Sequence, residues 1–89
     1  MSFIKLATPS TLPYSTGNCV AFSSSDTYLV VGHIGGKFMT IYKRTEDTFT
    51  KLSDPAQTPP DNVKDCAFSP DETHLAVLNP SSGLMVYKR

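Results

Sequence analysis

"AFSSSDTYLVV" (Ala21–Val31) returns 46 residues later as "AFSPDETHLAV" (Ala67–Val77), and this pair decides the fold. Working outward, "FIKLATPSTLP" (Phe3–Pro13) falls at the same offset on "FTKLSDPAQTP" (Phe49–Pro59), with phenylalanine, lysine, leucine and both prolines in common. Beyond the pair, "TIYKR" (Thr40–Arg44) falls on "MVYKR" (Met85–Arg89) after one residue is lost in the intervening turn. The 89 residues read as a single two-unit domain, with one copy over about 3–44 and the second over about 49–89. A period of about 40 to 50 residues belongs to solenoids and propellers, and the choice depends on whether each unit is helical or stranded.

Each unit is stranded. Short runs rich in Val, Ile, Tyr, Phe and Thr alternate with Ser, Asp, Gly and Pro clusters, which is strand and turn chemistry. No apolar pattern of helical period occurs. Strands are predicted at Phe3–Ala7, Asn18–Ser23, Tyr28–His33 and Phe38–Arg44, and again at Thr48–Ser53, Lys64–Ser69, His74–Asn79 and Leu84–Arg89. Ser and Asp bond their own backbone in the turns "SSSD" and "SPDE", and Pro70 presets its own φ.

"AFSPDETHLAVLNPSSGLMVYKR" (Ala67–Arg89) resembles the blade of a WD-repeat-like bacterial or phage β-propeller, in which a Phe-Ser-Pro-Asp turn follows the inner strand. Tyr42-Lys43 and Tyr87-Lys88 stand where that family carries tryptophan-aspartate, so the likeness is to the blade rather than to one subfamily. The resemblance implies an all-β chain of two four-stranded blades, within a closed ring completed by homo-oligomerisation. Propellers close with roughly 4 to 8 blades. Two blades alone would leave apolar faces carrying residues such as Leu29, Val31, Ile41, Leu75, Val77 and Val86 open to water, and head-to-tail association of identical units forms a ring when the rotation closes. Three copies would give six blades, and four would give eight.

Strand count sharpens this expectation. Strands from Asn18, Tyr28, Phe38 and Thr48 make a whole blade, whereas those from Lys64, His74 and Leu84 lack an outer member. The expected supplier is the first strand of another copy, so that Phe3, Ile4, Lys5 and Leu6 pair with Leu84, Met85, Val86 and Tyr87 by β-augmentation. A chain cut from a longer propeller is the alternative.

Eight acidic and eight basic side chains give zero formal charge, which argues against nucleic acid or an anionic membrane as partner. No run approaches the roughly 20 apolar residues of a membrane helix, and no signal peptide is visible, so a cytoplasmic location is expected. Cys19 and Cys66 are too few for a disulfide framework. Cys66 aligns with Val20 and Cys19 with Asp65, placing the two thiols on different sheet faces and predicting that they do not bridge.

Catalytic signals are weak. "GHIGGK" (Gly32–Lys37) lacks the glycine and the Ser or Thr of a phosphate loop, since Val31 and Phe38 hold those places and a strand follows. His33 is the best single candidate for a general base, but its counterpart is Asn79, and His74 aligns with Tyr28 at a strand start. No zinc spacing and no nucleophile elbow occurs, so no catalytic residue, metal or cofactor is expected. The connections Ala7–Asn18 and Ser53–Lys64 should emerge with the turns at 33–36 and 79–83, forming a face of Tyr14, Asn18, His33, Asp61, Asn62, Lys64 and Asn79. Loops on a rigid scaffold commonly bind, and ring symmetry would multiply weak sites. The leading reading is therefore a non-enzymatic binding or structural scaffold. A multivalent glycan-binding propeller, with Tyr14 stacking on a sugar, is second; a protein ligand is also compatible. A propeller enzyme using Lys64 and Asp65 at a central channel is third.

Overall fold

The computed structural model describes residues 3–14 and 16–89; Ser15, within the first long connection, lies outside them. Among these residues the fold is all-β, with seven strands in two antiparallel sheets. The first sheet runs in the order β1 (Gly17–Phe22), β2 (Tyr28–His33), β3 (Met39–Thr45) and β4 (Thr48–Lys51). The second contains β5 (Asp65–Phe68), β6 (His74–Asn79) and β7 (Gly83–Lys88). No helix among the described residues is long and apolar enough to cross a membrane.

The two sheets share their register. Val20 opposes Val31 and Phe22 opposes Leu29 in the first, as Cys66 opposes Val77 and Phe68 opposes Leu75 in the second. Hydrogen bonds outside the ladders match as well. Ser23 and Ser69 each open a tight turn, accepting an N–H from Asp26 or Glu72 on the carbonyl and from Tyr28 or His74 on the hydroxyl. Asp26 (φ 64°) and Glu72 (φ 65°) occupy the left-handed position that the turn requires, a conformation that costs a side-chain-bearing residue energy. The Tyr42 hydroxyl donates to the Thr11 carbonyl at 2.7 Å, and the Tyr87 hydroxyl to the Gln57 carbonyl at 2.9 Å, each tying a proline-bearing connection to its sheet.

Period-2 alternation sorts the side chains. Val30 and Met39 from the first sheet meet Cys66, Leu75 and Val77 from the second, with Val63 between them, forming the buried core. Phe68, Ile41, Met85 and Tyr87 pack around it. The opposite faces are open: Val20 and Phe22 are 64% and 52% exposed, and Leu84 and Val86 are 58% and 57% exposed. Thus Ile41, Leu75 and Val77 face the space between the sheets, while Leu29, Val31 and Val86 belong to the outward faces.

One predicted strand does not form. Phe3–Ala7 is without strand pairing, and Phe3 and Ile4 are 92% and 86% exposed. The segment lies beside the first sheet, whose outer edge β4 already covers, rather than along β7.

Candidate functional site

The second sheet ends on β7, whose outer edge has no partner strand among the described residues. Its counterpart β3 is covered by β4 through Tyr42↔Lys51, Lys43↔Thr50 and Arg44↔Phe49. That fourth strand also seats an aromatic contact, because Phe49 meets Phe22 edge to face with centroids 6.1 Å apart. Phe68 occupies the position equivalent to Phe22 and has no such aromatic neighbour among the described residues. Instead it lines a groove of about 250 Å³ between the sheets, together with Tyr28, Ile41, Leu52, Leu75 and Tyr87. The Arg89 guanidinium closes one end, lying 5.3 Å from the Tyr28 ring centroid, an attractive cation–π arrangement. Burial raises the Tyr87 phenol above its ordinary pKa, and its hydroxyl donates to the Gln57 carbonyl.

Phe3, Ile4, Lys5 and Leu6 are not brought to Leu84, Met85, Val86 and Tyr87 within one chain. They lie elsewhere: Lys5 and Leu6 line a hollow beside Leu29, Asp47 and Phe49 of the first sheet. Among the described residues the Lys5 ammonium donates to two neighbours, the Leu6 carbonyl and the Thr8 hydroxyl, each at 3.2 Å.

The predicted loop face gathers at one end of both sheets, where β1 and β5 begin and β2 and β6 finish. Tyr14 lies over Gly35 and Gly36, whose positive φ values of 76° and 58° shape the turn beneath it. Asn18 Nδ2 donates to the Val63 carbonyl, Asp61 accepts the N–H of Asn62 and the hydroxyl of Ser81, and Lys64 is exposed. His33 and Asn79 correct the expectation, because at 1% and 4% exposure they are buried under the loops rather than displayed. His33 Nε2 pairs with the Thr40 hydroxyl at 2.9 Å, while Asn79 Oδ1 accepts both Ser81 and Ser82 N–H groups as a turn cap. Polarity near a glycine turn suggested exposure, but both side chains continue the inward-or-outward alternation of their strands and the long connections cover them. Tyr14, His33, Lys37, Thr40 and Lys51 line a shallow hollow of about 210 Å³ here, in which Lys51 is already paired with Asp54 at 3.2 Å. Among the described residues, no group of three or more His, Cys, Asp or Glu is placed to hold a metal ion.

Both cysteines are free thiols, but they are not apart. Cys19 Sγ and Cys66 Sγ lie 3.0 Å apart, although they occupy opposite faces of their own sheets. The reason is stacking: when two like-oriented sheets pack face to face, the right face of one meets the left face of the other. Burial, followed by the neighbouring Cys19, pushes the Cys66 thiol well above the usual range. Sequence comparison also missed the polar bridge beside them, where Ser25 donates its N–H and hydroxyl to Glu72 at 2.7 and 2.6 Å and Ser24 donates to the Pro70 carbonyl. Nothing in the sequence marks it, since the corresponding residues of the other turn are Pro70 and Asp71.

No protein-family model matches the chain, and no curated protein matches it.

Proposed function

We propose that the chain is a non-enzymatic subunit of a self-assembling β-propeller, supplying two blades to a ring of identical copies that serves as a binding or structural scaffold. The observation that carries this reading is the half-finished counterpart of the Phe22–Phe49 contact: Phe68 and the β7 edge are in place, while the matching segment is unpaired among the described residues, with Phe3 and Ile4 exposed. Applying the β3–β4 register to the second sheet pairs Tyr87 with Lys5, Lys88 with Ile4 and Arg89 with Phe3 of another copy. In that register Phe3 projects towards the groove, meets Phe68 as Phe49 meets Phe22, and covers Ile41 and Leu52. A strand added this way gains backbone bonds along an otherwise open edge and buries a phenylalanine.

The loop end then recurs around the ring. Tyr14, Asp61, Asn62 and Lys64 give each copy a small polar surface suited to a protein or carbohydrate ligand, and repetition would raise weak affinity by avidity.

Sedimentation velocity of the full chain tests the proposal, using the 9.7 kDa protomer mass as the unit. A discrete three- or four-copy particle is expected, and Phe3→Asp should dissociate it without changing the β-sheet circular dichroism. A wild-type particle of one protomer overturns it.

A further inference from the structure

Resting on that assembly reading, the geometry points to a specific second-copy docking surface: the contact between copies repeats the sheet-on-sheet contact within the chain, with its closest-packed pair exchanged in size. Inside the chain, Gly32 is the small member. A Cβ there would overlap Val63 Cγ1 and Cys19 Sγ, so only hydrogen fits beneath the fully buried Val63. Shifting both by the repeat offset converts Gly32 into Leu78 and Val63 into Gly17. The large residue now stands on the sheet that held the small one, and the reverse holds on its partner.

Both exchanged residues are placed for this contact. Leu78 is 47% exposed on the outward face of the second sheet. Gly17 is exposed at the start of β1, and a Cβ there would meet only Val31 Cγ1, at an ordinary 3.7 Å. Gly17 therefore has room within its own chain, and its lack of a side chain is explained by a neighbour's Leu78. Conserving the summed volume of a facing pair is what lets the same packing recur without cavity or overlap.

The surrounding faces agree. The intrachain contact uses one face of the first sheet against the opposite face of the second, and the two faces left open are the repeat counterparts of those two. Ala67, Leu84 and Val86 of one copy would meet Val20, Phe22 and Leu29 of the next, each an apolar counterpart of a residue in the intrachain core. The Asn18 to Val63 carbonyl bond becomes Lys64 Nζ to the Gly17 carbonyl. Two pairs are unfavourable: the Ser25–Glu72 bridge becomes Asp71 beside Asp26, and the Cys19–Cys66 contact becomes Asp65 of one copy against Val20 of the next. Screening of the Asp71–Asp26 like charges should make association tighter in salt. Because the two open faces differ, the contact is heterologous and joins copies head to tail.

The test is a size-exchange series on the full chain, read by sedimentation with circular dichroism as the folding control. Gly17→Val should weaken association roughly tenfold or more by overlap with Leu78, and Gly17→Val with Leu78→Gly should restore it by reproducing the Gly32–Val63 arrangement. Leu78→Lys, at a site open to solvent in the single chain, should also separate the copies and guards against a Gly17 variant that fails to fold. If the wild type is a single protomer, the assembly reading itself fails. If the wild type assembles and Gly17→Val and Leu78→Lys assemble equally well, this surface is wrong while strand lending stands. Failure of the folded double variant to regain association overturns the pairing of these two residues.

Discussion

Cys19 Sγ lies 3.0 Å from Cys66 Sγ, so the only two thiols of the chain meet across the seam between its sheets. A short bifunctional thiol reagent should join them within one molecule, giving a single cross-link and no dimer on a denaturing gel. A low-molecular-weight disulfide should do the same by exchange: one thiolate attacks it and releases one thiol, then the second cysteine attacks the mixed disulfide and releases the other. Reaction should be slow at neutral pH because the Cys66 thiol is held protonated by burial. Mass spectrometry of the peptides would check this, and two independently alkylated cysteines after treatment would contradict it.

Gly32→Ala should destabilise the fold by about 1–3 kcal/mol, the usual cost of inserting atoms into a packed core. The added carbon would overlap Val63 and Cys19. Val63→Ala in the same chain should return part of that loss, as measured by urea unfolding; an unchanged midpoint for Gly32→Ala would contradict the close approach.

Tyr42→Phe and Tyr87→Phe each remove a hydroxyl that donates to a loop carbonyl, from Thr11 and Gln57 respectively. A loss of about 0.5–1.5 kcal/mol is expected for each, with the larger loss at Tyr42 because it is more completely buried. Hydrogen exchange in the tied connections should rise in parallel with the fall in urea midpoint.

Acid should loosen the seam. Glu72 is held down to about 2, first by the Ser23 hydroxyl and then by the Ser25 hydroxyl and N–H, from an ordinary value of 4.5. Because the folded value is the lower one, the unfolded chain binds more protons between these pH values. The stabilisation is complete above about pH 4.5 and is lost as pH falls towards 2. A Glu72→Gln chain should show a shallower decline of stability across that window; an identical acid profile would show that the bridge to the first sheet does not contribute.

Strand existence was legible because period-2 alternation and Ser-Asp or Gly turns are local signals, and β2 and β6 fall at the predicted bounds, Tyr28–His33 and His74–Asn79. What lay between the sheets was not. Offset comparison assigns Cys19 and Cys66 to opposite faces of a common unit, yet stacked units bring opposite faces together, so the alignment that revealed the period concealed the thiol contact. His33 and Asn79 were misread for a related reason: whether a polar residue beside a turn is displayed depends on where the long connections fold back, and that is settled by the Tyr42 and Tyr87 hydroxyls many residues away. Phe3 illustrates the third limit. Its match to Phe49 identifies a strand-forming segment, but forming a strand requires an edge alongside, and Lys5 and Leu6 lie against the first sheet, where β4 holds the outer edge, rather than along the open edge of β7.

The Tyr42–Thr11 hydrogen bond has a practical consequence for grafting foreign peptides. By fastening the first connection partway along, it divides one long span into two short arms, so a peptide inserted after the exposed Leu12 would stretch only the arm leading into β1. Closure entropy grows slowly with added length, and the fastened half should hold its course against the sheet. The same peptide placed before Thr11 would pull on the knot itself.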